Sequence, residues 1–245
     1  MVLLHGWASH AQVFRGLARA LEQRFRIHVM ALPGYGGMAA CTPYTLERIA
    51  DTLAAGAPKQ CSVVGWSLGA QVALTWAQRA PKQVKCLALI DATPCFMQHA
   101  DWPHAVTPVV MRQFTSAIKR DCTSVLRRFV ALQSLGDAHA VQVAHKLRTV
   151  LFANPLPAQD VLEQGLEMLR VSDLRALLPL IPQPVLVMHG AHDAITPCAA
   201  GLALSEALPH AHFHKIAGAG HAPFLSAPHA VAALLQAFLD EPTPV

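Results

Sequence analysis

Gly65-Trp66-Ser67-Leu68-Gly69 sets a serine between two glycines, after the apolar run Cys61–Trp66 and at the start of the helical pattern Leu68–Arg79. On a sharp strand-to-helix turn such a serine exposes its hydroxyl as a nucleophile. Bulky side chains at the flanking positions would clash there, and glycine avoids this. The chemistry is acyl transfer. It needs a base beside the serine, an acid behind the base, and N–H donors for the developing oxyanion.

Of the chain's fourteen histidines, His221 is the best placed to be the base. It sits in Gly218-Ala219-Gly220-His221-Ala222-Pro223-Phe224, after the last strand pattern and before the last helical one. Glycines let that loop reach over a sheet edge. His5, His189 and His192 belong to other turns. His210, His212 and His214 alternate along a strand and read as a partly exposed polar face, with metal binding the lesser reading. Two acids compete. Asp193 follows the strand pattern Val185–His189 in a Gly-x-x-Asp turn, and Asp91 follows Cys86–Ile90. The Gly-x-x-Asp placement favours Asp193, which leaves Asp91 to cap the Ala92-Thr93-Pro94 turn. His5-Gly6-Trp7 closes the first strand pattern, so the oxyanion donors are expected to be the backbone N–H groups of Trp7 and Leu68. No metal or cofactor is required.

These residues need a scaffold that brings strand ends together. Apolar strand patterns occur at Val2–His5, Ile27–Ala31, Cys61–Trp66, Cys86–Ile90, Val185–His189 and His212–Ile216. Helical spacing occurs at Ala11–Arg24, Leu46–Ala55, Leu68–Arg79, Ala199–Leu208 and His229–Leu239. The alternation implies parallel β-α-β units, with both faces of the sheet covered by helices. Residues 97–175 break the rhythm. They hold helix-like stretches at Val109–Lys119, Cys122–Leu132, Ala138–Leu147 and Asp160–Leu169, and they read as a helical cap over the carboxyl edge of the sheet, where ligands bind. The core is then 1–96 and 176–245.

At 245 residues, with 53% hydrophobic against 14% charged residues, the chain can bury a large core, and disorder is expected only at Asp240–Val245. No stretch approaches a membrane span, and the opening MVLLHGW lacks the basic region of a signal peptide and reads as a strand already under way. Cys41, Cys61, Cys86, Cys95, Cys122 and Cys198 form no C-x-x-C pair and read as free thiols of a reducing cytoplasm. Between Arg112 and Arg148, seven basic residues (Arg112, Lys119, Arg120, Arg127, Arg128, Lys146, Arg148) face two acids, Asp121 and Asp137. That local excess surpasses the net +4 of the whole chain. It is either a solvated helix face or a surface that steers an acidic partner. No nucleic-acid-binding motif accompanies it.

LLHGWASHAQVF, ALPGYG, GWSLG, ATPCF followed by DWP, RFVALQSLG, GLEML with VSDLR, and AGHAPF span nearly the whole chain. With these stretches the chain resembles the carboxylesterases of biotin synthesis that act on pimeloyl-acyl-carrier-protein methyl ester. The resemblance implies an α/β-hydrolase fold, a mostly parallel central sheet flanked by helices with a helical cap inserted after the sixth-strand position. It implies Ser67, Asp193 and His221 as the triad. Substrate contacts would come from Trp7, Ser67, Leu68, Phe129, Val130, Ala131, Leu132, Gln133 and His221. An acidic acyl-carrier protein would dock on Arg120, Arg127, Arg128, Lys146 and Arg148. The expectation is a cytoplasmic monomer that needs neither nucleic acid nor membrane. Other readings on the same scaffold are a broad short-chain carboxylesterase, a carbon–carbon bond hydrolase and a non-catalytic receptor.

Overall fold

The strands β1 (Val2–Leu4), β2 (His28–Met30), β3 (Cys61–Trp66), β4 (Val84–Ile90), β5 (Val185–Gly190) and β6 (Ala211–Ile216) form one sheet in the order β2-β1-β3-β4-β5-β6. The computed structural model describes residues 1–240, and every pairing in this sheet is parallel. β3, β4 and β5 are buried almost throughout, as strands covered on both faces must be. β6 alternates between half-buried and exposed positions over most of its length, and His210, His212 and His214 are exposed there.

The covering helices are α1 (Arg15–Leu21), α2 (Leu46–Gly56), α3 (Leu68–Arg79), then α4 (Pro108–Arg120), α5 (Cys122–Gln133), α6 (Ala140–Phe152) and α7 (Gln159–Val171), and finally α8 (Cys198–Glu206), the single turn α9 (Pro223–Ser226) and α10 (Pro228–Asp240). Local chemistry starts several of them. Thr45 Oγ1 accepts from Arg48 N at 3.3 Å to cap α2. Thr107 does the same for Val110 N ahead of Pro108 in α4. Asp121 ends α4 and caps α5 by accepting from Ser124 N at 3.0 Å.

Some boundaries differ from the periodicity. The stretch expected as one helix from Ala11 to Arg24 opens as a 3₁₀ turn, Ala11–Phe14, because the His10 ring accepts from Gln12 N and Phe14 leaves helical geometry. The first strand stops at Leu4, since His5 turns inward to bond loop backbone. Asp240, expected in an irregular tail, ends α10 and pairs with Arg24 at 2.8 Å. Residues 241–245, the rest of that expected tail, lie outside the described residues.

β4 and β5 are paired neighbours, yet α4–α7 lie between them in the chain. Where this insertion leaves and rejoins the sheet, Leu174 N donates to Pro94 O at 2.9 Å, and Arg175 bridges Asp101 and Asp173. Because all six strands run the same way, their carboxyl ends share one edge. The turns after β1, β3, β4, β5 and β6 therefore converge, and they carry His5–Trp7, Ser67, Asp91, Asp193 and His221. No helix among the described residues is long and apolar enough to cross a membrane.

Candidate active site

Ser67 joins β3 to α3 with φ 56° and ψ −119°. A non-glycine residue there costs on the order of 1–3 kcal/mol, and the neighbours enforce it. Ser67 N donates to Ile90 O of β4 at 3.0 Å. A Cβ on Gly65 would run into the Gly69 carbonyl, and one on Gly69 into the Leu4 carbonyl of β1. Glycine at both positions lets α3 start hard against the sheet. A Cβ on Gly6 would stand 3.1 Å from Ser67 Cβ, so the loop after β1 lies directly against the serine.

That loop is held from inside. His5 is fully buried; its Nδ1 donates to Gly6 O at 2.9 Å and its Nε2 accepts from Leu32 N at 3.1 Å. Burial, partly offset by the Gly6 bond, lowers its pKa to about 4. The Trp7 indole N–H donates to Leu162 O of α7 at 3.0 Å, and its ring packs edge-on against Phe129 and Phe114. Among the described residues, neither the Trp7 nor the Leu68 backbone N–H has a protein acceptor, so both are free to donate.

His221 Nδ1 lies 2.7 Å from Asp193 Oδ2, and both side chains are buried. The Nδ1 proton faces the carboxylate, which leaves Nε2 as the acceptor. Asp193 Oδ1 accepts from Ile195 N at 2.8 Å and Thr196 N at 3.0 Å, and Oδ2 also accepts from Thr196 Oγ1 at 2.7 Å. Burial pushes this carboxyl up, but the facing His221 and His189 together outweigh it and hold the group well below the usual carboxylate range. Among the described residues Ser67 Oγ makes no hydrogen bond to His221, a contact that commonly tightens only when substrate is bound.

Asp91 does not cap the Ala92-Thr93-Pro94 turn. It is fully buried with φ 48°, and its Oδ1 accepts from Gly190 N at 2.7 Å. Burial and the nearby Asp193 charge raise its pKa, so of the two acids it is the one that resists ionisation.

Above Ser67 opens an apolar cavity of about 130 Å³. Trp7, Phe114, Met111, Phe129, Leu132, Leu166 and Ile195 are among its walls. Of the expected contacts, Trp7, Ser67, Phe129 and Leu132 line it, whereas Leu68, Val130, Ala131, Gln133 and His221 do not. Helical geometry explains the split. Phe129 and Leu132, three apart, share the cavity face of α5, Val130 and Gln133 share another buried face, and Ala131 points to solvent. Gln133 contributes differently, because its carbonyl accepts from His221 N at 2.9 Å.

The residues that hold the histidine loop went unread in the sequence. Trp66 Nε1 donates to His221 O at 2.6 Å. Asp137, just past α5, accepts from Gly220 N at 2.8 Å, and Ala138 N donates to Gly218 O at 2.7 Å. Asp137 counted in the sequence only as one of two acids in a basic stretch. No local pattern signals a contact across more than eighty residues.

Arg120, Arg127, Arg128, Lys146 and Arg148 are all exposed. Arg127 stacks 5.2 Å above the Phe152 ring, Lys146 donates to Leu225 O at 3.2 Å, and among the described residues none of the five forms a salt bridge. Two groups bring metal-type ligand atoms within 4.8 Å of one another, Cys95–His99–Asp173 and Asp91–His189–Asp193. In the first, Arg175 already occupies both Asp173 oxygens. In the second, Asp193 is engaged by His221 and Thr196.

Residues 1–234 match the model of the alpha/beta hydrolase family. A pimeloyl-acyl-carrier-protein methyl ester esterase of Nitrosomonas europaea is 41% identical over 93% of this chain and 90% of its own length. One from Xanthomonas oryzae pv. oryzae is 41% identical over 98% of this chain and 94% of its own. Among solved structures, an esterase from Exiguobacterium antarcticum superposes with a TM-score of 0.89 at 23% identity, covering 98% of this chain and 91% of that one.

Proposed function

The chain belongs to the alpha/beta hydrolase family, and we propose that it is a serine carboxylesterase that removes the methyl group from the methyl ester of a pimeloyl chain borne by an acyl-carrier protein. One observation carries the chemistry: His221 Nδ1 is 2.7 Å from a buried Asp193 at the same sheet edge as Ser67, which opens on an apolar cavity. The substrate class rests on the relatives, about 40% identical over nearly the whole chain. Residues 97–175 act in this reading as the cap, and 1–96 with 176–245 as the core.

In the first step His221 Nε2 takes the Ser67 proton while Oγ attacks the ester carbonyl carbon. The oxyanion is met by the N–H groups of Trp7 and Leu68, each worth roughly 3–4 kcal/mol in the transition state. Asp193 stabilises the imidazolium. The intermediate collapses, the carbon–methoxy oxygen bond breaks, and His221 returns the proton to release methanol. Water then attacks the acyl-serine with His221 as base, which frees a carboxylic acid and restores Ser67. The apolar walls suit the methylene chain, with Phe129 and Leu132 beside it. The unpaired cations Arg120, Arg127, Arg128, Lys146 and Arg148 supply a docking surface for an acidic carrier protein. The enzyme works in this reading as a cytoplasmic monomer with reduced cysteines.

The test compares hydrolysis of the carrier-bound methyl ester and of a p-nitrophenyl ester at several salt concentrations. Salt and the double change Arg127→Glu with Arg128→Glu should slow only the carrier-bound reaction. If that variant is unaffected at low salt, docking on these arginines is wrong. A fluorophosphonate probe should label Ser67, and an unlabelled Ser67 would refute the esterase reading itself.

A further inference from the structure

Behind the acid–base pair lies a second buried imidazole that the mechanism above leaves unused. His189 is the penultimate residue of β5 and is fully buried. Its Nε2 lies 2.8 Å from Thr196 O and 3.3 Å from Asp193 Oδ2, the same oxygen that faces His221. Both neighbours are acceptors, so Nε2 carries the proton. Among the described residues its Nδ1 is buried without a partner, and it faces Gly201, where a Cβ would collide with it.

Two local costs accompany this ring. An unpartnered buried nitrogen is destabilising, and so is a glycine inside α8 compared with alanine. An apolar side chain would fill the space and avoid both. What an apolar side chain cannot supply is an N–H that bonds Thr196 O and lies beside Asp193 Oδ2.

The other groups around the ring come from each packed element. Asp91, just after β4, has its Oδ1 3.8 Å from Nε2, and among the described residues its other oxygen has no partner. Cys198 of α8 has a thiol pushed up mainly by burial. Lys215 of β6 is register-paired with His189 and exposed. Beyond Asp193 stands His221.

We infer that His189 is a positioning residue for the acid–base pair: its Nε2–H, donated to Thr196 O, also lies 3.3 Å from Asp193 Oδ2, steadies that oxygen beside His221 and draws off part of the carboxylate's charge. It thereby sets how strongly Asp193 favours the His221 imidazolium. Asp91, whose carboxyl is pushed up by burial and by the Asp193 charge, anchors Gly190. The inference rests on the assignment of Asp193 and His221 to the mechanism above.

The experiment is the pH profile of kcat/KM on a p-nitrophenyl ester, with fluorophosphonate labelling in parallel. Removing the N–H with His189→Leu leaves more charge on Asp193, which raises the basicity of His221. The acid limb should therefore move to higher pH, by about half a unit or more. His189→Gln, whose amide N–H can reach the same oxygen, should bring the limb back toward the wild-type position. His189→Met serves as a second apolar variant should the leucine variant fail to fold. A uniform loss of kcat with an unmoved limb would mean that the ring only packs, and the inference would fall. Asp91→Asn should leave the limb in place, and a fall to lower pH would show that Asp91 is charged and overturn its assignment. Failure of the wild-type protein to label at Ser67 would instead sink the esterase reading.

Discussion

Removing the Asp137 carboxylate should damage both stability and turnover, although this residue lies in the helical insertion between β4 and β5 and does not line the cavity above Ser67. Asp137 accepts from the buried Gly220 N–H at 2.8 Å and from His139 N at 2.7 Å. With Ala138 N on Gly218 O and His221 N on Gln133 O, it clamps the histidine loop to the end of α5. A hydrogen bond to a charged group contributes about 1.5–3 kcal/mol, and stranding a buried N–H costs about 1–3 kcal/mol. His139 is an exposed residue, so its N–H recovers a water partner. Asp137→Ala should therefore cost about 2–4 kcal/mol, a fall in Tm of roughly 5–15 °C for a chain of this size. Slackening the loop moves His221 relative to Ser67, and a displacement of ~1 Å can cost about 100-fold in rate. The assays are thermal unfolding and kcat/KM on a carrier-free p-nitrophenyl ester, which separates the effect from docking. Asp137→Asn, still an acceptor, should fall between wild type and alanine. An alanine variant with wild-type Tm and wild-type turnover would refute the idea that the inserted helices hold His221 in place.

Asp193→Asn should lower kcat by about 10⁴-fold through loss of the correct His221 tautomer, whereas Asp91→Asn should cost no more than several-fold. The reverse pattern in steady-state kinetics would exchange the two acids. His5 should make the fold acid-sensitive. Its pKa falls from 6.5 in the unfolded chain to about 4 in the folded one, so the unfolded state binds more protons between those values. Its contribution is complete above pH 6.5 and is lost on acidification toward pH 4, on the order of 3 kcal/mol in total. Chemical denaturation across that window should show a smaller slope for His5→Gln. Gly69→Ala should fail to give native protein, because the added methyl meets the β1 backbone, and a folded, active variant would contradict the described elbow.

The parallel β-α-β order, the elbow at Ser67 and the glycine-flanked His221 were legible because each is written in neighbouring residues. Strand-type runs, helical spacing and glycines at 65 and 69 obey short-range sterics that hold before any tertiary contact forms. The choice of Asp193 over Asp91 was only a preference, since both follow a strand at the same edge. It became physical when the folded turns put His221 against Asp193 and left Asp91 bonded to Gly190. Residues 129–133 were expected to act as a block, yet helical rotation turns only Phe129 and Leu132 into the cavity.

Local chemistry along the chain therefore sufficed to single out Ser67, His221 and the sheet that presents them. Burial and long-range hydrogen bonding settled the rest: the Asp137 clamp, the inward His5, and the His189 ring behind Asp193. Those roles depend on which backbone groups meet across eighty or more residues, or on how a ring packs in the core. Hydrophobic periodicity specifies faces, not partners.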